Sequence, residues 1–193
     1  ASNNQQHYVL LSGWVANSDR TTVVKVYKIN SDGTTADATS AILGSEFSWS
    51  VNYPLVADFN KDGTDDIFFP GFTDDSNKLD QNRSRAFFSR RGQSHAEVSA
   101  PGLTSTHGAT AVDLNNDGWI DVINNMGEMW INNAGTGFSF QNRYETNVPL
   151  KISGSAVCAG QLDNSGTTHL VATDNYDTGI VDSIVYTIGA DYR

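Results

Sequence analysis

A single cysteine, Cys158, excludes any disulfide within the chain. It sits in the run Ser155-Ala-Val-Cys-Ala159, which reads as a buried strand with the thiol as a small core residue. Long apolar runs are also missing: no stretch approaches the roughly 18 residues of a membrane-crossing helix, so membrane insertion is not expected. The chain opens Ala-Ser-Asn-Asn-Gln-Gln, without the basic start and apolar segment of a secretion leader. The expectation is a mature form or a piece of a longer protein. Basic residues are scarce, with 12 Lys and Arg against 22 Asp and Glu and a formal net charge of −10. That balance argues against nucleic acid and anionic membrane, both of which need a basic face. The four histidines, His7, His95, His107 and His169, form no HExxH pattern or close pair, so zinc is not expected; His107 reads as a turn residue. No G-x-S-x-G elbow, dinucleotide fingerprint or P-loop occurs, and the chain is not expected to be an enzyme.

What is present is strand after strand. Runs rich in Val, Ile, Phe, Tyr and Thr recur at Tyr8–Leu11, Thr22–Ile29, Asp66–Phe69, Arg85–Ser89 and Thr110–Asp113. They continue at Ile120–Asn124, Glu128–Ile131, Ser155–Ala159, His169–Thr173 and Ser183–Ile188. Clusters of Gly, Asn, Asp and Ser separate them, and no window of about 12 residues has helical periodicity. The fold expected is therefore all-β: a sandwich, a barrel or a propeller.

Internal repeats separate these options. Pro54-Leu-Val-Ala-Asp-Phe-Asn-Lys-Asp-Gly-Thr-Asp-Asp-Ile-Phe68 aligns with Ala109-Thr-Ala-Val-Asp-Leu-Asn-Asn-Asp-Gly-Trp-Ile-Asp-Val-Ile123, an offset of 55 residues (113 − 58). A degraded copy, Ala156–Leu170, follows at an offset of 48 (161 − 113). Units of about 50 residues suit four-stranded antiparallel propeller blades. A weaker repeat, Tyr27–Thr34 against Trp130–Gly137, reads as the outer hairpin of a blade. The expectation is a single propeller region over 1–193, with about three and a half blades. Their approximate bounds are 1–50 (incomplete), 51–100, 101–150 and 151–193 (incomplete).

The repeat reads D-x-N-x-D-G-x-x-D. Its positions are Asp58, Asn60, Asp62, Gly63 and Asp66 in the first copy and Asp113, Asn115, Asp117, Gly118 and Asp121 in the second. Calcium takes six to eight oxygens at flexible geometry, and side chains at loop positions 1, 3 and 5 converge when the backbone curls around the ion. Glycine at position 6 supports the turn with positive φ. The position-7 carbonyl, of Thr64 or Trp119, adds an oxygen, and the position-9 carboxylate closes the shell. Two calcium sites are expected. An EF-hand would need Glu at position 12 and flanking helices; position 12 is Phe69 or Asn124, and the flanks read as strands. The third copy offers Gln161, Asp163, Ser165, Gly166 and His169, so it keeps the turn but loses two of the three carboxylates. Asp163 and Ser165 are expected to form a weak or non-binding site.

On these residues the chain resembles the FG-GAP/VCBS repeat family, found in the integrin α-subunit propeller, some fungal lectins and many secreted bacterial proteins. The likeness is strongest at 54–69 and 109–124. Phe69-Pro-Gly-Phe72 is the nearest approach to the Phe-Gly and Gly-Ala-Pro signatures, so the VCBS type is the closer match. The resemblance implies a β-propeller, commonly of seven blades, with calcium between the first two strands of a blade. Three and a half blades would then be part of a larger ring, completed by another chain or segment. It further implies an extracellular or cell-surface module that binds a protein or glycan through its loop-bearing faces. The alternative is a non-catalytic accessory or scaffold of a secreted polysaccharide-active enzyme or toxin.

Three further features stand out. Trp14, Trp49, Trp119 and Trp130 read as blade packing, with stacking on sugars as the alternative; Trp119 is singled out by its loop position. Asn82-Arg-Ser84 is a glycosylation sequon. Arg83, Arg85, Arg90 and Arg91 form a basic cluster in an acidic chain, either a solvated hairpin or a site for an acidic ligand.

Overall fold

The computed structural model describes residues 6–11, 22–46, 48–49, 53–71, 83–102, 106–142, 156–163, 165–173 and 183–188. Trp14 and Asn82 of the sequon lie outside these residues, as does the side chain of Trp49.

The first sheet begins with β1 (His7–Leu11); β2 (Thr22–Val23) follows, then β3 (Lys25–Ile29) and β4 (Thr35–Asp37). A single helical turn, α1 (Thr39–Leu43), and the short β5 (Ser48–Trp49) complete this part. The sheet order is β1-β3-β4, and β2 pairs with β5 as a separate ribbon. The second sheet contains β6 (Leu55–Ala57), β7 (Asp66–Phe69), β8 (Arg85–Arg90) and β9 (Gln93–Val98). The third contains β10 (Ala109–Val112), β11 (Asp121–Asn124), β12 (Met129–Asn132) and β13 (Phe138–Gln141). The fourth contains β14 (Ala156–Gly160), β15 (Thr168–Thr173) and β16 (Ser183–Ile188).

The second and third sheets are four-stranded antiparallel meanders in simple sequence order, the plan of a propeller blade. Their first strands lie side by side: β10 touches β6 on one side and β14 on the other. Corresponding registers bring Val56 opposite Ile67 and Ala111 opposite Val122. The fold is thus nearly all β, built of consecutive antiparallel blades. Among the described residues the sheets form no closed ring.

Each pair of neighbouring sheets encloses its own core. Val24, Val26 and Leu43 pack against Ile67, Phe69 and Phe87 between the first and second sheets. Phe68 and Phe88 meet Val122, Trp130 and Phe138 between the second and third. Ile123 and Met129 meet Leu170 and Ala172 between the third and fourth. Successive side chains of a strand point to opposite faces. In β7, Ile67 and Phe69 therefore face backward along the chain while Phe68 faces forward. This is why Asp66-Ile-Phe-Phe69 and Asp121-Val-Ile-Asn124 are continuously buried instead of alternating.

The same alternation corrects one expectation. Cys158 is exposed, because its neighbours Val157 and Ala159 take the core-facing positions of β14.

The outer strand β9, Gln-Ser-His-Ala-Glu-Val, has no sequence signature of its own because one side of it meets solvent. The turn α1 follows Asp37, whose carboxylate accepts the Thr39 N–H at 2.9 Å. That bond and the Lys25 ammonium hold the Asp37 pKa down to about 2, the Thr39 contacts being the larger cause.

Candidate functional site

Both D-x-N-x-D-G-x-x-D loops run between the first and second strands of a blade, 58–66 between β6 and β7 and 113–121 between β10 and β11. Neither is flanked by helices, in line with the exclusion of an EF-hand. Their backbones are alike. Lys61 and Asn116 at position 4 have φ of 58° and 57°, and Gly63 and Gly118 at position 6 have φ of 86° and 87°. Two left-handed residues in three steps curl the chain tightly.

The curl is fixed by side chains accepting from the loop's own N–H groups. Asp58 accepts from Asp62 N (3.0 Å) and Gly63 N (2.9 Å), and Asp113 accepts from Gly118 N (2.8 Å). Asn60 and Asn115 accept from Asp62 N and Asp117 N, at 2.9 and 3.0 Å. Asp62 and Asp117 accept from Thr64 N and Trp119 N, at 2.9 and 2.8 Å. Positions 1, 3 and 5 thus turn inward together in both copies.

The position-9 acids do something the motif alone did not reveal. Asp66 and Asp121 are fully buried. Asp66 Oδ2 accepts from Phe59 N and Asn60 N, while its Oδ1 accepts from Ser89 N at 2.6 Å. Asp121 Oδ2 accepts from Leu114 N and its Oδ1 from Asn132 N at 2.8 Å. Each therefore clamps the start of its loop to the third strand of the blade. Ser89 is free to donate because a bulge between Phe88 and Arg90 takes it out of the β8–β9 ladder. Ser89 also donates its hydroxyl to Asp62 Oδ2 at 2.7 Å, which holds the Asp62 carboxyl below its ordinary range.

Each loop is tied to the following blade. Asn132 Nδ2 donates to Phe59 O and to Ile120 O, both at 2.9 Å, so one amide joins the first loop to the second. The Lys61 ammonium lies 4.1 Å from the centre of a Trp119 ring, a cation–π contact between the loops. Thr168 Oγ1 donates to Asp113 O at 3.2 Å, joining the second loop to the fourth sheet. Position 2 supplies the apolar link: Phe59 and Leu114 have no solvent exposure and enter the cores shared with the next blade. Ser89, Asn132, Phe59 and Leu114 escaped sequence reasoning; only the shared apolar character of position 2 could have marked the last two.

The second loop carries a carboxylate oxygen that its own backbone leaves unmatched. Asp113 Oδ1 is buried and has no hydrogen-bond partner, an expensive state for a carboxylate oxygen. Burial, with smaller contributions from the neighbouring charges of Asp117 and Asp113, pushes the Asp121 carboxyl up to about 7. Burial likewise pushes Asp66 upward. The Lys61 ammonium lies against Trp119 and Gly118 at the edge of this loop, and among the described residues it forms no ion pair with these acids; their oxygens are the hard donors calcium prefers. Among the described residues no three His, Cys, Asp or Glu side chains form a preformed metal cluster. The expected shell draws on Asn60, Asn115 and backbone carbonyls as well as on acids.

The third loop behaves differently. Asp163 accepts from the backbone N–H and hydroxyl of Ser165, the hydroxyl bond contributing most to its lowered pKa. His169, at position 9, places Nε2 3.5 Å from Asp163 Oδ2. A side chain that can carry positive charge stands where the other loops have an acid.

The blades and loops define an all-β repeat protein in which paired acidic loops stitch successive blades together. In agreement, residues 9–69 match the family model of an FG-GAP-like repeat. The match runs from β1 through the first loop to the end of β7. No curated protein matches the chain. Among the described residues no helix is long and apolar enough to cross a membrane.

Proposed function

We propose that the chain is a calcium-stabilised, non-catalytic binding module of the extracellular space or cell surface, recognising a protein or glycan. The observation that carries the calcium reading is the buried, partnerless Asp113 Oδ1 inside a loop whose twin, Asp58–Asp66, shares its backbone curl. Asp58, Asn60, Asp62 and Asp66 with the Thr64 carbonyl would hold one ion. Asp113, Asn115, Asp117 and Asp121 with the Trp119 carbonyl would hold the other. Calcium would neutralise acids that otherwise repel, and so stiffen the loops that join the blades. Further blades, from another chain or segment, would complete the array.

Metal binding to the native state alone raises stability by about 2.7 kcal/mol when free calcium is about 100 times its Kd. Thermal unfolding should therefore move upward with calcium and back with chelator. Asp62→Ala and Asp117→Ala should each remove part of the shift, and Asp163→Ala should not. Identical melting curves with calcium and chelator would refute the calcium reading. A glycan array alongside a pull-down of extracellular proteins distinguishes a lectin from a protein binder; a clean result in neither would count against the binding role.

A further inference from the structure

A cleft of about 550 Å³ opens between the first sheet and the second blade. Its apolar wall comes from Leu10, Val26, Ile42 and Ile67, continuous with the core between those sheets. Its rim is polar: Tyr8, Asp65, Arg90, Arg91, Gln93 and His95. The four arginines of the basic cluster separate here into two pairs. Arg85 makes a two-pronged contact with Glu97, at 2.8 and 2.7 Å, and Arg83 lies 3.9 Å from the same carboxylate. Arg90 and Arg91, exposed at the β8–β9 turn, meet no carboxylate among the described residues.

The remaining rim groups are also unspent. The Asp65 carboxylate, the Gln93 amide and the Tyr8 hydroxyl make no side-chain hydrogen bond among the described residues. His95 Nε2 meets Asp65 O at 3.1 Å, but its Nδ1 is buried without a partner. Tyr8, Asp65 and Gln93 are exposed and open to water, whereas the His95 Nδ1 is a buried polar atom of the kind native structures seldom leave unpaired. Polar groups gathered at the rim of an apolar concavity describe a ligand site.

The geometry points to a small polyhydroxylated carboxylate, a uronic-acid unit of an acidic polysaccharide, as the ligand of this cleft. The inference rests on the binding-module reading above and gives it a site and a ligand class. Arg90 and Arg91 supply the planar, paired donors that suit a carboxylate. Asp65 would repel a bare phosphate or sulfate, yet it is a strong acceptor for sugar hydroxyls. Gln93 and His95 can both donate and accept. Tyr8, 46% exposed, offers an aromatic face to the apolar side of a pyranose ring. A volume of this size holds one or two sugar rings.

The test is a titration of the full chain, in calcium, with glucuronate, glucose and inorganic phosphate, followed by backbone amide NMR. Glucuronate should bind saturably, with shifts at Tyr8, Gln93 and His95, more tightly than glucose and less tightly as salt is raised. Arg90→Gln combined with Arg91→Gln should weaken glucuronate roughly tenfold and leave glucose unchanged. Asp65→Asn should weaken both sugars. The substituted residues Asp65, Arg90 and Arg91 are exposed, and unchanged melting of the variants confirms that folding is intact. Absence of saturable glucuronate binding overturns the inference. So does phosphate binding as tightly as glucuronate, or shifts elsewhere on the molecule. Those outcomes leave the binding-module reading standing, because it is judged by the glycan array and the protein pull-down, whatever ligand they find.

Discussion

Replacing Phe59 by alanine tests whether the acidic loops join the blades mechanically as well as electrostatically. Phe59 belongs to a loop, where apolar side chains are ordinarily expendable, yet it has no solvent exposure. Its ring stacks on Phe88 at 6.3 Å between centroids and meets Phe138 of the next blade edge-on at 5.4 Å. It also tilts against Phe68 at 6.4 Å. Truncating a buried phenylalanine costs about 3–5 kcal/mol, through lost transfer energy and the cavity left behind. For a chain of this size, each kcal/mol lowers Tm by about 2–4 °C. Phe59→Ala should therefore lower Tm by roughly 6–20 °C, measured by circular dichroism at fixed calcium. Val56→Ala, only three residues away but 55% exposed, should stay within about 0.5 kcal/mol of the parent. If the loops hold calcium as proposed, Phe59→Ala should also weaken that binding, because the lost ring loosens a loop whose Phe59 N and O are held by Asp66 and Asn132. A Phe59→Ala protein that melts within a degree or two of the parent would show that this ring does not connect the blades.

Two further perturbations probe the frame around the loops. The folded-state pKa of Asp37, about 2, lies below its ordinary 3.8. Its contribution to stability is thus present above pH 3.8 and lost as pH falls from there through about 2; side-chain NMR should find the low midpoint, and one near 3.8 would contradict the bond to Thr39. Gly102→Ala should destabilise by about 1–3 kcal/mol in chemical denaturation. Its φ is +113° and a Cβ there would come within 2.6 Å of the Phe140 ring. Gly33→Ala, with φ +82° but open space around it, should lose only about 1 kcal/mol; equal losses would mean that the Phe140 contact is immaterial.

The repeat was legible in the sequence because its markers are local. Gly63 and Gly118 serve a left-handed turn, and the acids around them recur at fixed spacing, so the loops and their flanking strands could be placed by inspection. The buried second strands were legible too, since Ile67-Phe68-Phe69 and Val122-Ile123 put apolar side chains on both faces. The outer strands β9 and β13 were not, because a strand with one face in solvent carries a diluted pattern. The exposure of Cys158 was misread for a related reason: in a short run of small residues, nothing local says which face is the core. The clamps made by Ser89 and Asn132 were invisible because they join positions 23 and 11 residues from their acids, at spacings that differ between the blades. The rim of the cleft is a product of packing one sheet on another, and only Arg90 and Arg91 announced themselves.

Phe59 and Leu114 sit at the second position of their loops but pack into the cores their blades share with the blades that follow. The unit that repeats in the sequence and the unit that holds together in space are therefore out of phase. A duplication copying one such segment would carry with it the peg for its neighbour, so an added blade would arrive already fitted to the next. A single blade cut cleanly at the edges of its sheet would lose its peg's socket and expose an aromatic core. The smallest self-sufficient piece of this protein should accordingly be a junction: one loop, the blade that bears it and the blade that receives its side chain.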